Sequence, residues 1–322
     1  MGKVDGYSDV GLDEMFNHVL FEDLRYADSW NDQSGIMSDV FGVYRSVAKV
    51  LGNLNGKSHI DIGSGNGRLL SILRAKNPSA NLWGMDVNPI LIELAVKRME
   101  CLRKSRDVVF HGSFDGVVYP DGRIAREFPY HPEILGGRDA FGEGVDVLAL
   151  DDVNAPKVVP GLAAGRKFDS ASFLFPGAAP STSRLYPYEF RLNTDEEHRN
   201  RLVNYAGNLK ANAYRFATRI VNPDGNLVLG ERLGISGQGD FIENIIAGFQ
   251  QCFDSLGILD CWEFKEVSVS ERSFSGVENK VPLIVKDGDS EVADLDEEGS
   301  SNIKVVLILL ERTKAACEKV MA

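Results

Sequence analysis

The 322 residues are 43% hydrophobic and 25% charged, with a mean hydropathy of −0.15, which suits one large soluble α/β domain or two small ones. A net charge of −12 lacks the basic footprint that gripping a nucleic-acid backbone requires, so large RNA and DNA substrates are disfavoured. The longest apolar run, residues 305–310, is strand-sized rather than membrane-spanning, and the first residues lack the apolar stretch of a signal peptide. Cys101, Cys252, Cys261 and Cys317 are scattered, with no C-x-x-C pair and no histidine at ligand spacing. That usage predicts reduced thiols, no metal site and a cytoplasmic protein.

Residues 12–20 and 37–51 repeat their apolar side chains at helical spacing, with an aromatic, polar segment between them that holds Tyr26 and Trp30. Residues 58–62 read as a buried strand. Gly63, Gly65 and Gly67 follow as a tight loop, and a helix opens at Arg68. A glycine loop between strand and helix allows a ligand to approach the backbone with no Cβ in the way. The next strand, residues 81–86, ends in Asp86, nineteen residues after Gly67. In a strand–helix–strand unit a carboxylate at that place can accept both hydroxyls of a ribose. The glycine spacing is G-x-G-x-G, not the G-x-G-x-x-G of dinucleotide sites, and Asp61 stands two residues before the first glycine. A carboxylate there repels a pyrophosphate and suits a cationic amino-acid moiety.

The run Asp61-Ile62-Gly63-Ser64-Gly65-Asn66-Gly67 followed by Asp86 resembles the cofactor-binding signature of the class I (Rossmann-like) S-adenosylmethionine-dependent methyltransferases. The resemblance implies a Rossmann-like, doubly wound, seven-stranded sheet, mostly parallel, with an antiparallel C-terminal hairpin and an N-terminal helical lid. It implies S-adenosyl-L-methionine as cofactor. Asp61, Gly63, Ser64, Gly65 and Gly67 would then face its methionine end, Asp86 its ribose and Val87 its adenine. On this division residues 1–57 are the lid and 58–322 the core, with insertions near 107–144 and 271–302. Tyr26 and Trp30 become candidate pocket residues, or else staples that fasten the lid.

Pro89 suits the first turn of a helix running to about residue 105. Two segments then compete for the third core strand, residues 108–112 and 145–150. The later one is preferred, because residues 168–175 look like the family's fourth strand and Asp169 lies seventeen residues after Asp152. On that alignment Asp151 or Asp152 accepts the adenine amino group, Phe173 joins the cofactor-binding set, and residues 107–144 form a hairpin insertion. On the other alignment Ser113 and Phe114 replace the aspartate pair. Residues 194–220 predict a long helix, residues 222–225 (Asn-Pro-Asp-Gly) a turn and residues 226–232 strand five, a succession the family also shows. A helix near 238–256 and strands near 259–269 and 303–310 complete the count. The acidic stretch 287–299 predicts a surface loop.

Methyl transfer from a sulfonium needs a base only where the acceptor must lose a proton. His111, His131 and Tyr186 are the candidates, beside or after the strands where an acceptor would lie. The expected activity is O- or N-methylation of a small molecule. Protein methylation, a non-catalytic nucleoside-binding module and a dinucleotide oxidoreductase are the alternatives. No oligomeric state is implied.

Overall fold

In the computed structural model of the chain the described residues are 41–102, 108–113, 115–118, 124–175, 196–234, 241–275 and 300–314, with 24, 27, 28, 30, 31, 34, 35 and 37–39. Strands covered on both faces are buried nearly continuously along their length rather than at alternate positions. β1 (Ser58–Ile62), β2 (Asn81–Asp86), β6 (Asp146–Leu150) and β7 (Phe168–Leu174) are such strands, buried almost throughout. With β3 (Val108–His111), β8 (Val221–Gly234), β9 (Trp262–Ser275) and β10 (Ser300–Arg312) they make one eight-stranded sheet in the order β3-β6-β2-β1-β7-β8-β10-β9. The pairs β3–β6, β6–β2, β2–β1, β1–β7 and β7–β8 are parallel. β8 (Val221–Gly234), β10 (Ser300–Arg312) and β9 (Trp262–Ser275) form the antiparallel end.

Among the described residues five helices of nine or more residues and one of six cover the two faces. α1 (Val43–Leu51), α2 (Arg68–Lys76) and α3 (Pro89–Leu102) lie on one side, where Val47, Leu70, Leu73, Leu91 and Ala95 pack on Leu82, Leu148, Val228 and Leu307. α4 (Val158–Ala163), α5 (Glu196–Ile220) and α6 (Phe241–Ser255) lie on the other, where Val159, Tyr214 and Phe253 meet Ile60, Met85, Phe173 and Leu229. The expected doubly wound architecture is therefore present. β6 pairs directly with β2, which makes the later candidate the third core strand, as preferred from the sequence.

One expectation needs correction. Residues 107–144 do not form only a hairpin insertion. β3 (Val108–His111) joins the main sheet as an eighth strand, parallel to β6, and only β4 (Asp115–Val118) and β5 (Ile124–Glu127) make a separate hairpin. Its alternation is the physical reason: Val109 and His111 are buried while Phe110 is exposed, the pattern of an edge strand with one open face. The predicted turn at 222–225 survives as a bulge inside β8. Phe168 pairs with Val221 and Ser170 with Asn226, so the Asn-Pro-Asp-Gly residues loop out between the two pairs, with Asp224 at φ 63°.

Arg74 of α2 and Asp146 of β6 are both almost fully buried and form an ion pair, while the guanidinium also donates to the Asn77 and Pro78 carbonyls. At the far edge, Lys265 on β9 lies 2.8 Å from Glu263 and 3.2 Å from Glu311. The three described cysteines, Cys101, Cys252 and Cys261, are free thiols. No helix is long and apolar enough to cross a membrane among the described residues. The acidic stretch 287–299 lies outside them.

Candidate cofactor site

The loop after β1 owes its path to three glycines with φ of 69° at Gly63, 53° at Gly65 and 72° at Gly67. Left-handed backbone is cheap only for glycine. Gly67 also leaves no space: a Cβ there would sit 2.9 Å from the Ala95 Cβ of α3. Several loop amides are spent on protein acceptors. Ser64 N donates to the Met85 carbonyl at 2.9 Å, Gly67 N to the Ser64 carbonyl at 3.0 Å and Gly65 N to Asp86 Oδ2 at 2.9 Å. A pyrophosphate cradle needs such amides turned outward.

Asp86 ends β2 and is half-buried. Its Oδ1 accepts the Asn88 amide at 2.9 Å, and Asn88 rather than Asp86 caps α3, taking Ile90 N and Leu91 N. Burial pushes the Asp86 carboxyl up to about 6, against the backbone donors that favour its charge. Asp61 lies one strand away, aligned with Gly84 of β2, and is 4% exposed. Its Oδ1 accepts the Ser172 hydroxyl at 2.6 Å. Burial raises its carboxyl to about 7, with the nearby Asp86 charge acting in the same direction.

These shifts have a definite sign. A carboxyl raised from 3.8 to about 7 holds its proton in the folded state where the unfolded chain has lost it. The folded state then loses stability as pH rises from about 4 to about 7. Asp61→Asn removes that term alone. The variant is expected to gain on the parent across this window, by up to about 1.4 kcal/mol per pH unit, and to hold a constant advantage above it. Urea unfolding of both proteins from pH 4.5 to 8 measures the difference; parallel stabilities would contradict a buried, reluctantly ionised Asp61.

The N-terminal helix, to which the described helical residues between 24 and 39 belong, is bonded to this loop. Trp30, 8% exposed, lies over Gly65, where a Cβ would collide with its indole. Asn66 Nδ2 donates to Asn31 Oδ1 at 2.8 Å and to Ser34 Oγ at 2.9 Å, and Arg68 Nε donates to Ser34 Oγ at 3.1 Å. Trp30 thus both staples the helix and roofs the glycine loop. Tyr26 lies outside the described residues.

The other expected positions fall as follows. Ser64 turns its hydroxyl inward toward Gly84, without a hydrogen-bond partner. Val87 is half-buried against the core, and Phe173 packs near Gly63 and edge-on to Tyr214, with ring centres 6.0 Å apart. Asp151 is buried and accepts the Asp152, Lys157 and Val159 amides at 3.0, 3.1 and 2.9 Å, so it fastens the turn into α4. Asp152 Oδ1 accepts the amide and side chain of Asn154. Among the described residues no three His, Cys, Asp or Glu are grouped to hold a metal ion.

His111 ends β3 and is fully buried, with neither ring nitrogen hydrogen-bonded. Its ring stacks on His131 with centres 5.8 Å apart, and His131 Nδ1 lies 3.2 Å from Glu133. Burial holds the His111 imidazole below its ordinary value. β3 and β7 are separated by three strands, about 19 Å at the usual spacing. The histidine pair is therefore not brought together with Phe173, and Tyr186 lies outside the described residues.

Sequence reasoning missed the partners of Asp61. His59, Asp61, Ser170 and Ser172 are polar residues alternating with apolar ones on adjacent strands, all buried. Polar side chains at period two on the same face of two core strands were the available signal.

No family profile matches the sequence, and comparison with curated proteins gives no match. Solved structures do match. An inferred methyltransferase of Bacillus halodurans C-125 shares 9% identity over 85% of this chain and 100% of its own, at a TM-score of 0.45. A TehB-like S-adenosylmethionine-dependent methyltransferase of Corynebacterium glutamicum shares 14% over 90% and 98%, at 0.38. A methyltransferase of Thiobacillus denitrificans in complex with S-adenosyl-L-homocysteine shares 13%, over 70% of this chain and 65% of its own, at 0.36. The chain is similar to these proteins, at identities and scores too low to carry function across.

Proposed function

We propose that this protein is an S-adenosylmethionine-dependent methyltransferase that methylates a small-molecule oxygen or nitrogen. The observation that carries the reading is the pair of carboxylates, Asp61 and Asp86, flanking a glycine loop whose amides at Ser64, Gly65 and Gly67 are turned inward. Two acids and few outward donors suit a cationic amino-acid moiety and a diol, and they repel a pyrophosphate. The donor set fits the cofactor.

In that arrangement Asp86 takes the ribose hydroxyls, held in aim by the Gly65 and Asn88 amides. Asp61 and the glycine loop take the methionine end, and Val87 packs at the adenine. The adenine amino group goes to Asp152 rather than Asp151, because three backbone amides already fill Asp151. Bound cofactor supplies an activated methyl carbon open to in-line displacement. This chain's contribution is position: Trp30 excludes water above Gly65. Tyr186 follows β7 and stands nearest in sequence for proton removal. His111 and His131 border the opposite edge of the sheet.

Calorimetric titration with S-adenosylhomocysteine and with NAD separates the cofactor classes; tight binding of NAD alone would end the methyltransferase reading. Transfer of a labelled methyl group into the low-molecular-weight fraction of a cell extract tests the acceptor class, and label confined to protein would redirect it. Asp86→Ala is expected to weaken S-adenosylhomocysteine binding roughly 30- to 100-fold, about 2–3 kcal/mol, the worth of a charge-assisted pair. Unchanged affinity removes the ribose role.

A further inference from the structure

Beneath the candidate site runs a buried chain of hydrogen bonds across β1 and β7. His59 Nδ1 lies 2.8 Å from Ser170 Oγ, His59 Nε2 lies 3.1 Å from Ser172 Oγ, and the Ser172 hydroxyl lies 2.6 Å from Asp61 Oδ1. His59 and Ser172 are fully buried, and Ser170 is 1% exposed. Each member can offer its neighbour only one polarity at a time. With Asp61 ionised, Ser172 must donate to it. Ser172 then accepts from His59 Nε2–H, and His59 Nδ1 accepts from Ser170. With Asp61 protonated, the carboxyl can donate to Ser172, whose hydroxyl then donates to Nε2, and the ring carries its hydrogen on Nδ1.

We propose that His59 and Ser172 are positioning residues for Asp61, and that the tautomer of His59 records whether Asp61 is charged. The two states differ by one proton taken from solvent and held at Asp61. The imidazole keeps a single N–H throughout, on Nε2 in one state and on Nδ1 in the other. Burial depresses His59 to about 3, so the ring stays neutral while Asp61 titrates near neutrality. Among the described residues Asp86, at the end of β2, is the charged group acting on Asp61, and it opposes ionisation. β7 faces the chain with serines, and α1 and α2 cover this face with apolar side chains such as Val47, Leu70 and Leu73. Of the cations on those helices, Arg45, Lys49 and Lys76 are exposed, Arg74 is held by Asp146, and Arg68 donates to Ser34. A cationic group placed against Asp61 fixes the ionised direction. Cofactor binding and the Nε2–H tautomer are then linked, a consequence that rests on the function proposed above.

Nitrogen-15 NMR of the His59 ring in the full chain tests the inference without any ligand. The expected result is a passage from Nδ1–H to Nε2–H with a midpoint near pH 7, and one fixed tautomer at every pH in Asp61→Asn. A single unchanging tautomer in the parent protein between pH 5 and 9, or titration to imidazolium in that range, overturns it. A second arm compares S-adenosylhomocysteine with adenosine, which lacks the amino-acid end. Ser172→Ala is expected to bind the former about tenfold more weakly with adenosine unaffected, and Ser172→Thr to restore the difference. Equal losses for both ligands, or none, overturn the link to binding. If the parent protein binds no S-adenosylhomocysteine, the proposed function fails, and the NMR titration still decides the tautomer chain. Should Ser172→Ala not fold, that titration decides it as well.

Discussion

Gly65→Val is expected to abolish S-adenosylhomocysteine binding, a loss of more than about 100-fold, and to release the N-terminal helix from the core. Two effects act together. A β-branched residue at φ 53° costs about 1–3 kcal/mol in backbone strain. Its Cβ would also collide with the Trp30 indole, and no relaxation of the loop is open while Gly65 N remains bonded to Asp86. The indole must leave, and the Asn31 and Ser34 contacts to Asn66 and Arg68 leave with it. Titration calorimetry measures the binding, and limited proteolysis between residues 24 and 39 measures the release. A variant that binds at parental affinity with its helix protected would mean that the roofed glycine loop is not where ligand sits.

Asp146→Ala carries the second large effect, on stability alone. Arg74 would be left charged and almost fully buried without its carboxylate. Breaking a buried pair by removing one partner costs about 3–5 kcal/mol. The carbonyls of Asn77 and Pro78 compensate only in part. The double variant Arg74→Met with Asp146→Ala should recover much of the loss, since the charge goes with its partner. Urea midpoints of the parent, the single variant and the double variant measure this. A single variant within about 1 kcal/mol of the parent would show that the pair is not buried as drawn.

The first βαβ unit was the most legible part of the chain. Strands 58–62 and 81–86 announced themselves because they are covered on both faces, and the three glycines because their backbone angles suit little else. The choice of residues 146–150 over 108–111 as third strand also came through, from the length of chain to the next strand. The strand at 108–112 was legible, but its place at the edge of the main sheet was not. It lies beside β6 only through a parallel pairing made across the intervening hairpin, and nothing within four residues encodes a partner so distant in sequence. Asp151 shows a second limit. Its position after a core strand suggested a ligand, but the amides that occupy it come from Lys157 and Val159, placed by the turn into α4. The role of Trp30 was half visible: aromatic residues in a polar segment signalled a contact, not that Gly65 would be on its other side. The serines that orient His59 stayed hidden until β1 and β7 were laid side by side.

The charges on the outermost antiparallel strand bear on self-association. Among the described residues β9 has no neighbouring strand on its outer side, and such a row of backbone donors and acceptors invites a further strand from another copy. A strand docking there would have to pass Lys265 and its two glutamates and strip their water. Charges of this kind disfavour edge-to-edge pairing, so replacing Lys265 and Glu263 by neutral residues is expected to raise the tendency of the protein to polymerise.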